Sequence, residues 1–62
     1  MSVEEIRGQL ETAFHEAGHA FAYVGEGRYL AALMAADNAR KAIKLACNGL
    51  GELPPYESKE GK

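Results

Sequence analysis

The stretch Tyr23-Val24-Gly25-Glu26-Gly27-Arg28-Tyr29 lies between two long segments in which apolar residues repeat with helical spacing. Glycine tolerates the left-handed backbone that ends many helices, so Gly25 is expected to end the first helix and Gly27 to open the second. A connection this short makes the two helices antiparallel neighbours. The sequence therefore predicts an all-α fold, an antiparallel two-helix hairpin.

The first helix is predicted over about residues 3–24. Ser2 and Glu5 have the S-x-x-E spacing of a capping box, in which each side chain satisfies a backbone N–H group of the first turn. Apolar or small residues then recur at alternating spacings of three and four, the heptad pattern of a helix that packs on another. They are Val3, Ile6, Leu10, Ala13, Ala17, Ala20 and Val24. This row is expected to face the second helix.

The second helix is predicted over about residues 28–48, because Asn48-Gly49 is a common helix end and Pro54-Pro55 prevents continuation. Its heptad row comprises Tyr29, Ala32, Ala36, Ala39, Ile43, Ala46 and Leu50. Asp37 and Lys41 are spaced for an ion pair along the helix. The hairpin then occupies residues 1–51, and residues 52–62 form an extended or partly disordered C-terminal tail.

A chain of 62 residues is near the lower limit for a core that offsets chain entropy, and eleven of its hydrophobic residues are alanines. Alanines at facing positions allow close helix packing and leave larger side chains half exposed. We therefore expect a two-fold homodimer that forms a four-helix bundle, the commonest symmetry for such assemblies. The residues expected at its interface are Ile6, Leu10, Phe14, Phe21, Tyr29, Leu33, Met34 and Ile43. A larger protein is the second expected partner.

Charge and composition exclude several other partners. The net charge of −2 does not provide the basic surface that nucleic-acid binding requires. The longest apolar run, residues 29–36, is too short to span a bilayer, so no membrane association is expected. Cys47 is the single cysteine, which excludes an internal disulfide and fits a reducing compartment. The predicted location is the cytoplasm.

One short motif suggests chemistry. His15, Glu16 and His19 have the H-E-x-x-H spacing, which places two imidazoles on one helix face and a carboxylate beside them. The segment Phe14-His15-Glu16-Ala17-Gly18-His19-Ala20 resembles the zinc helix of the FtsH family of membrane-associated AAA proteases, which reads apolar-H-E-A-G-H-A. The resemblance covers residues 14–20 and implies His15 and His19 as zinc ligands and Glu16 as the catalytic general base.

A catalytic zinc site needs a third protein ligand. The FtsH family takes an aspartate from a distant helix, whereas the single aspartate here is Asp37; Glu11, one turn before His15, is the other candidate. The heptad row also places His15 and His19 on the solvent side of the helix. We therefore predict no catalytic residue and no cofactor. The predicted function is a non-enzymatic interaction module, acting as regulator, inhibitor or assembly subunit. The alternative is a zinc-binding protein that resembles a zinc metallopeptidase.

Overall fold

The computed structural model describes residues 1–54, which form helices α1 (Val3–Gly25) and α2 (Tyr29–Glu52). The helices pack against each other along their length, and the described residues contain no strand. Met1 and Ile6, at the start of α1, contact Gly49 near the end of α2, so the two helices are antiparallel. The predicted hairpin is confirmed. The predicted tail falls mostly on residues 55–62, which lie outside the described residues.

The start of α1 forms the capping box predicted from Ser2 and Glu5. The Ser2 backbone N–H donates to Glu5 Oε1 at 2.8 Å, and the Glu5 backbone N–H donates to Ser2 Oγ at 3.1 Å. Glu4 and Glu5 also place negative charge at the positive end of the helix dipole. Local sequence alone therefore fixes where α1 begins.

The turn between the helices differs from the prediction in one detail. Gly25 is still helical, and the left-handed residue is Gly27, with a φ angle of 76°. The Gly27 N–H donates to the carbonyl of Val24 at 3.0 Å, and the Arg28 N–H donates to that of Tyr23 at 2.9 Å. This pair of bonds is the Schellman motif, which needs its left-handed residue after the helix cap rather than inside the helix.

The second helix continues past its predicted end at Asn48 to Glu52. Packing explains the difference, because Gly49 is buried against the start of α1. A methyl group at Gly49 would lie 2.7 Å from Met1 Sδ and 2.8 Å from Ile6 Cγ1. Glycine has a weak helix propensity, yet Gly49 has no side chain and so allows the start of α1 and the end of α2 to pack closely. The helix ends where Leu53 adopts extended backbone before Pro54.

The contact between the helices consists almost entirely of small side chains. Its buried members are Ile6, Ala13, Ala32, Ala35, Ala42, Ala46 and Gly49. Several residues of the two predicted rows lie outside this contact: Ala17, Ala36, Ile43 and Leu50 are exposed. On α2, Ala35, Ala42 and Gly49 are buried instead of the neighbouring Ala36, Ile43 and Leu50. Alanines and a glycine therefore face α1, and the bulkier residues turn outward. Small residues at the contact bring the backbones close, which the larger residues would prevent.

Neither helix within residues 1–54 combines the length and the apolar composition needed to cross a membrane.

Candidate functional site

The H-E-x-x-H segment lies in the middle of α1, with its histidines exposed. His15 Nε2 is 3.9 Å from Glu11 Oε2, one turn earlier, and both side chains are open to solvent. The His15 ring also meets the Phe14 ring edge-on, with centroids 5.8 Å apart. A contact of this length between exposed groups contributes little to stability.

The other two residues of the segment, Glu16 and His19, border a groove on one side of the hairpin. This open groove has a volume of about 210 Å³, and Met34 and Asn38 line it from α2. The His19 ring packs at an angle against Tyr23, 6.4 Å between centroids. Glu16 is half-buried there.

Asp37, the predicted alternative third ligand, is engaged with neighbouring cations. Arg40 Nε donates to its carboxylate at 3.2 Å, a second guanidinium nitrogen of Arg40 also bonds to it, and Lys41 Nζ lies 3.3 Å away. Hydrogen bonds from Arg40 and then Lys41 lower the pKa of Asp37 below its usual value of 3.8. The predicted pair with Lys41 is confirmed.

The His, Cys, Asp and Glu side chains of the described part of the chain do not fit a zinc site. No three His, Cys, Asp or Glu side chains of residues 1–54 are grouped so that they could hold a metal ion. A zinc site requires at least three converging protein ligands. Glu11 lies beside His15, but within this part of the chain the two do not converge with His19 on one point.

The opposite side of the hairpin carries a second candidate site. In α1, Phe14 follows the buried Ala13 and Phe21 follows the half-buried Ala20, whereas His19 precedes Ala20. A helix turns 100° per residue, so the preceding and following positions point to opposite sides of the contact. Since His19 borders the groove, the two phenylalanines lie on the side away from it. Phe14 is 75% exposed and Phe21 is 83% exposed.

The second helix adds to the same side. Ile43 follows the buried Ala42, and Leu50 follows the buried Gly49, while Met34 precedes the buried Ala35 and borders the groove. Antiparallel right-handed helices turn their following positions toward one common side. The exposed residues on this side form one surface, which we call the apolar face: Leu10, Phe14, Ala17, Phe21 and Val24 from α1, and Tyr29, Ala36, Ile43 and Leu50 from α2.

The residues predicted for an interface divide among four places. Leu10, Phe14, Phe21, Tyr29 and Ile43 lie on the apolar face. Leu33 lies at its outer edge. Ile6 is 3% exposed and belongs to the hairpin's own core, and Met34 borders the groove.

Four residues of the apolar face, Ala17, Val24, Ala36 and Leu50, are absent from the predicted interface. All four belong to the heptad rows that are expected at the contact between the helices. Their heptad spacing indicates that they lie near a packed face of the helix. It does not indicate on which side of the narrow alanine contact they lie.

Comparisons of the chain with protein-family models, with curated proteins and with solved structures find no match.

Proposed function

We propose that the protein is a non-enzymatic interaction module whose helical hairpin self-associates through the apolar face. One observation carries the proposal. The hairpin encloses mainly alanines and a glycine, while Phe14 is 75% exposed and Phe21 is 83% exposed. Folding of one chain thus leaves the largest apolar side chains in water, the reverse of their usual location.

The exposed phenylalanines offer a substantial part of the area of an interface. An aromatic side chain presents roughly 150–250 Å², so Phe14 and Phe21 together expose about 300 Å². At about 25 cal/mol per Å², covering them yields about 7.5 kcal/mol per copy. Association itself costs on the order of 4–15 kcal/mol. Leu10, Tyr29 and Ile43 add the further area that makes a stable dimer favourable.

A second copy supplies the missing layer. Domains are built of at least two layers of secondary structure around one core, and a two-helix hairpin is a single layer. Two hairpins joined by their apolar faces form a four-helix bundle with large residues at its centre. The outer surface of this dimer, including the groove at Glu16 and His19, is then presented to a larger protein. The module acts there as regulator, inhibitor or assembly subunit.

Cys47 bears on where this happens. It is a free, exposed cysteine. An exposed thiol persists in a reducing compartment, and we place the protein in the cytoplasm.

Phe21→Glu and Leu30→Glu test the apolar face as a matched pair. Both replace a highly exposed apolar residue, 83% and 72% respectively, with the same charge. Leu30 is outside the apolar face and lies one helical turn before Met34, which lines the groove. Sedimentation should show a dimer for the wild type and Leu30→Glu, and a monomer for Phe21→Glu at the same concentration. Equal masses for all three proteins would refute the proposed face.

A further inference from the structure

Resting on the proposed function, we infer how the second copy is oriented: α1 of each hairpin lies over α2 of its partner. Two kinds of two-fold axis bring the apolar faces together. An axis parallel to the helices places α1 over the partner's α2. An axis that crosses the helices within the interface places α1 over the partner's α1. Side-chain size and charge on the apolar face favour the parallel axis.

Size is complementary between the two halves of the apolar face. The α1 half carries Phe14 and Phe21 on either side of Ala17, whereas the α2 half has Ala36 midway between Tyr29 and Ile43. With the parallel axis, the phenylalanines of one copy pack over the row of the other copy that contains Ala36. The crossing axis would set phenylalanines against phenylalanines and Ala36 against Ala36, which leaves one half overfilled and the other with a void. Packed helices keep a nearly constant spacing of about 8–10 Å, so that mismatch is unfavourable.

The parallel axis also fixes the register, because rotation about it leaves height along the helices unchanged. A residue of α1 therefore meets the partner's α2 at the height where it meets its own α2. Within the chain, Gly49 contacts Met1 and Ile6, and the Met1 amino group lies 3.6 Å from Glu52 Oε1. Continuing this register along both helices places Cys47 level with Arg7.

The charges at the edges agree with this register. Lys44 is level with Leu10 and Glu11 and lies on the outer edge of α2, beside Arg40. Glu11 lies on the outer edge of α1. In the parallel arrangement Glu11 of each copy therefore faces the partner's Lys44, acid against base. The crossing arrangement would place α1 edges together and α2 edges together, so that Glu11 would not meet Lys44.

The first test is a disulfide between Arg7→Cys and the native Cys47. Both positions follow a buried residue of the contact, Ile6 and Ala46, so both lie on the side of the apolar face. The parallel arrangement places positions 7 and 47 of different copies opposite each other, and a disulfide needs Cα atoms within about 7 Å. Mild oxidation with oxidised glutathione should convert Arg7→Cys into a covalent dimer on a non-reducing gel. Gly8→Cys, which adds a thiol one position further round α1 and away from the face, is the matched control.

The outcomes separate the two levels of the proposal. A covalent dimer for Arg7→Cys, absent for Gly8→Cys and for the wild type, supports the parallel axis. A non-covalent dimer by sedimentation that forms no disulfide between positions 7 and 47 of different copies refutes the parallel axis and leaves self-association intact. A monomer by sedimentation at millimolar concentration refutes both.

The second test mixes two charge variants, Glu11→Lys and Lys44→Glu, one of them labelled with ¹⁵N. Each variant alone places like charges opposite each other, whereas the mixed dimer has two opposite-charge pairs. At low salt we expect mixed dimers to exceed the two homodimers together by about threefold or more, as native mass spectrometry measures. Glu16→Lys mixed with Lys44→Glu has the same net charges, but position 16 lies on the groove side. Equal enrichment in that control mixture would overturn the orientation.

Discussion

Gly49→Ala tests whether the small-residue contact determines how closely the helices approach. An alanine gains about 1 kcal/mol of helix propensity over glycine. Its methyl group would lie 2.8 Å from Ile6 Cγ1 and 3.0 Å from Ile6 Cδ1. Met1 Sδ, at 2.7 Å, ends a flexible side chain and is able to move aside, but Ile6 is 3% exposed and enclosed. Overpacking a contact of this kind costs about 1–3 kcal/mol. The net effect is a destabilisation of up to about 2 kcal/mol.

Gly8→Ala is the control for Gly49→Ala. Gly8 is also within a helix, and nothing lies within 4 Å of a methyl group added there. The Gly8→Ala variant should be more stable by about 1 kcal/mol, because alanine has the higher helix propensity. This raises the Tm of a domain this small by roughly 4–8 °C. Thermal denaturation at one fixed protein concentration compares the two variants, because association itself shifts Tm. The reasoning fails if Gly49→Ala raises Tm as much as Gly8→Ala does.

Three further predictions concern the turn, an ion pair and the histidines. Gly27→Ala forces alanine into a left-handed backbone and should lower stability by about 1–2 kcal/mol in urea denaturation, and an unchanged midpoint would contradict the Schellman turn. The lowered pKa of Asp37 means that its pairing stabilises the fold above pH 3.8 and is lost as pH falls below that value. Asp37→Asn should therefore be less stable than wild type at about pH 7 and equal to it at about pH 2; a difference that persists at the lower pH would exclude the charge interaction as its cause. His15→Ala with His19→Ala should leave Tm and mass unchanged with zinc or with chelator, whereas a zinc-dependent rise in Tm that the double variant loses would restore the metal alternative.

The start of α1 and the existence of the turn were predictable because their determinants are local. The capping box needs only Ser2 and Glu5, and a glycine-rich break between two helical patterns needs no distant contact. The end of α2 was not predictable in this way. Gly49 has weak helix propensity, yet it stays helical because it packs against Ile6 at the start of α1, which is distant in the sequence.

The sequence pattern also did not predict which side of each helix forms the contact. Heptad spacing predicts a row that includes Ile43 and Leu50 on α2, but in the structure their neighbours Ala42 and Gly49 are buried instead. A prediction from hydrophobic periodicity gives leucine more weight as a contact residue than alanine or glycine. Close packing of two isolated helices instead favours the smallest residues, which turns the largest ones outward.

The H-E-x-x-H segment illustrates the same limit for chemistry. Its spacing puts two imidazoles one helical turn apart on α1. Whether such a stripe becomes a zinc site depends on a third donor brought by the fold, and Asp37 is held by Arg40 and Lys41 on its own helix. The exposure of the phenylalanines on the apolar face is the stronger functional signal.

Sedimentation equilibrium of the wild-type protein over micromolar to millimolar concentrations tests the central claim most directly. If the apolar face is an interface between copies, the mass should approach twice the 6.7 kDa of one chain as concentration rises. A compact species that stays at 6.7 kDa over the whole range, and melts cooperatively, would contradict it.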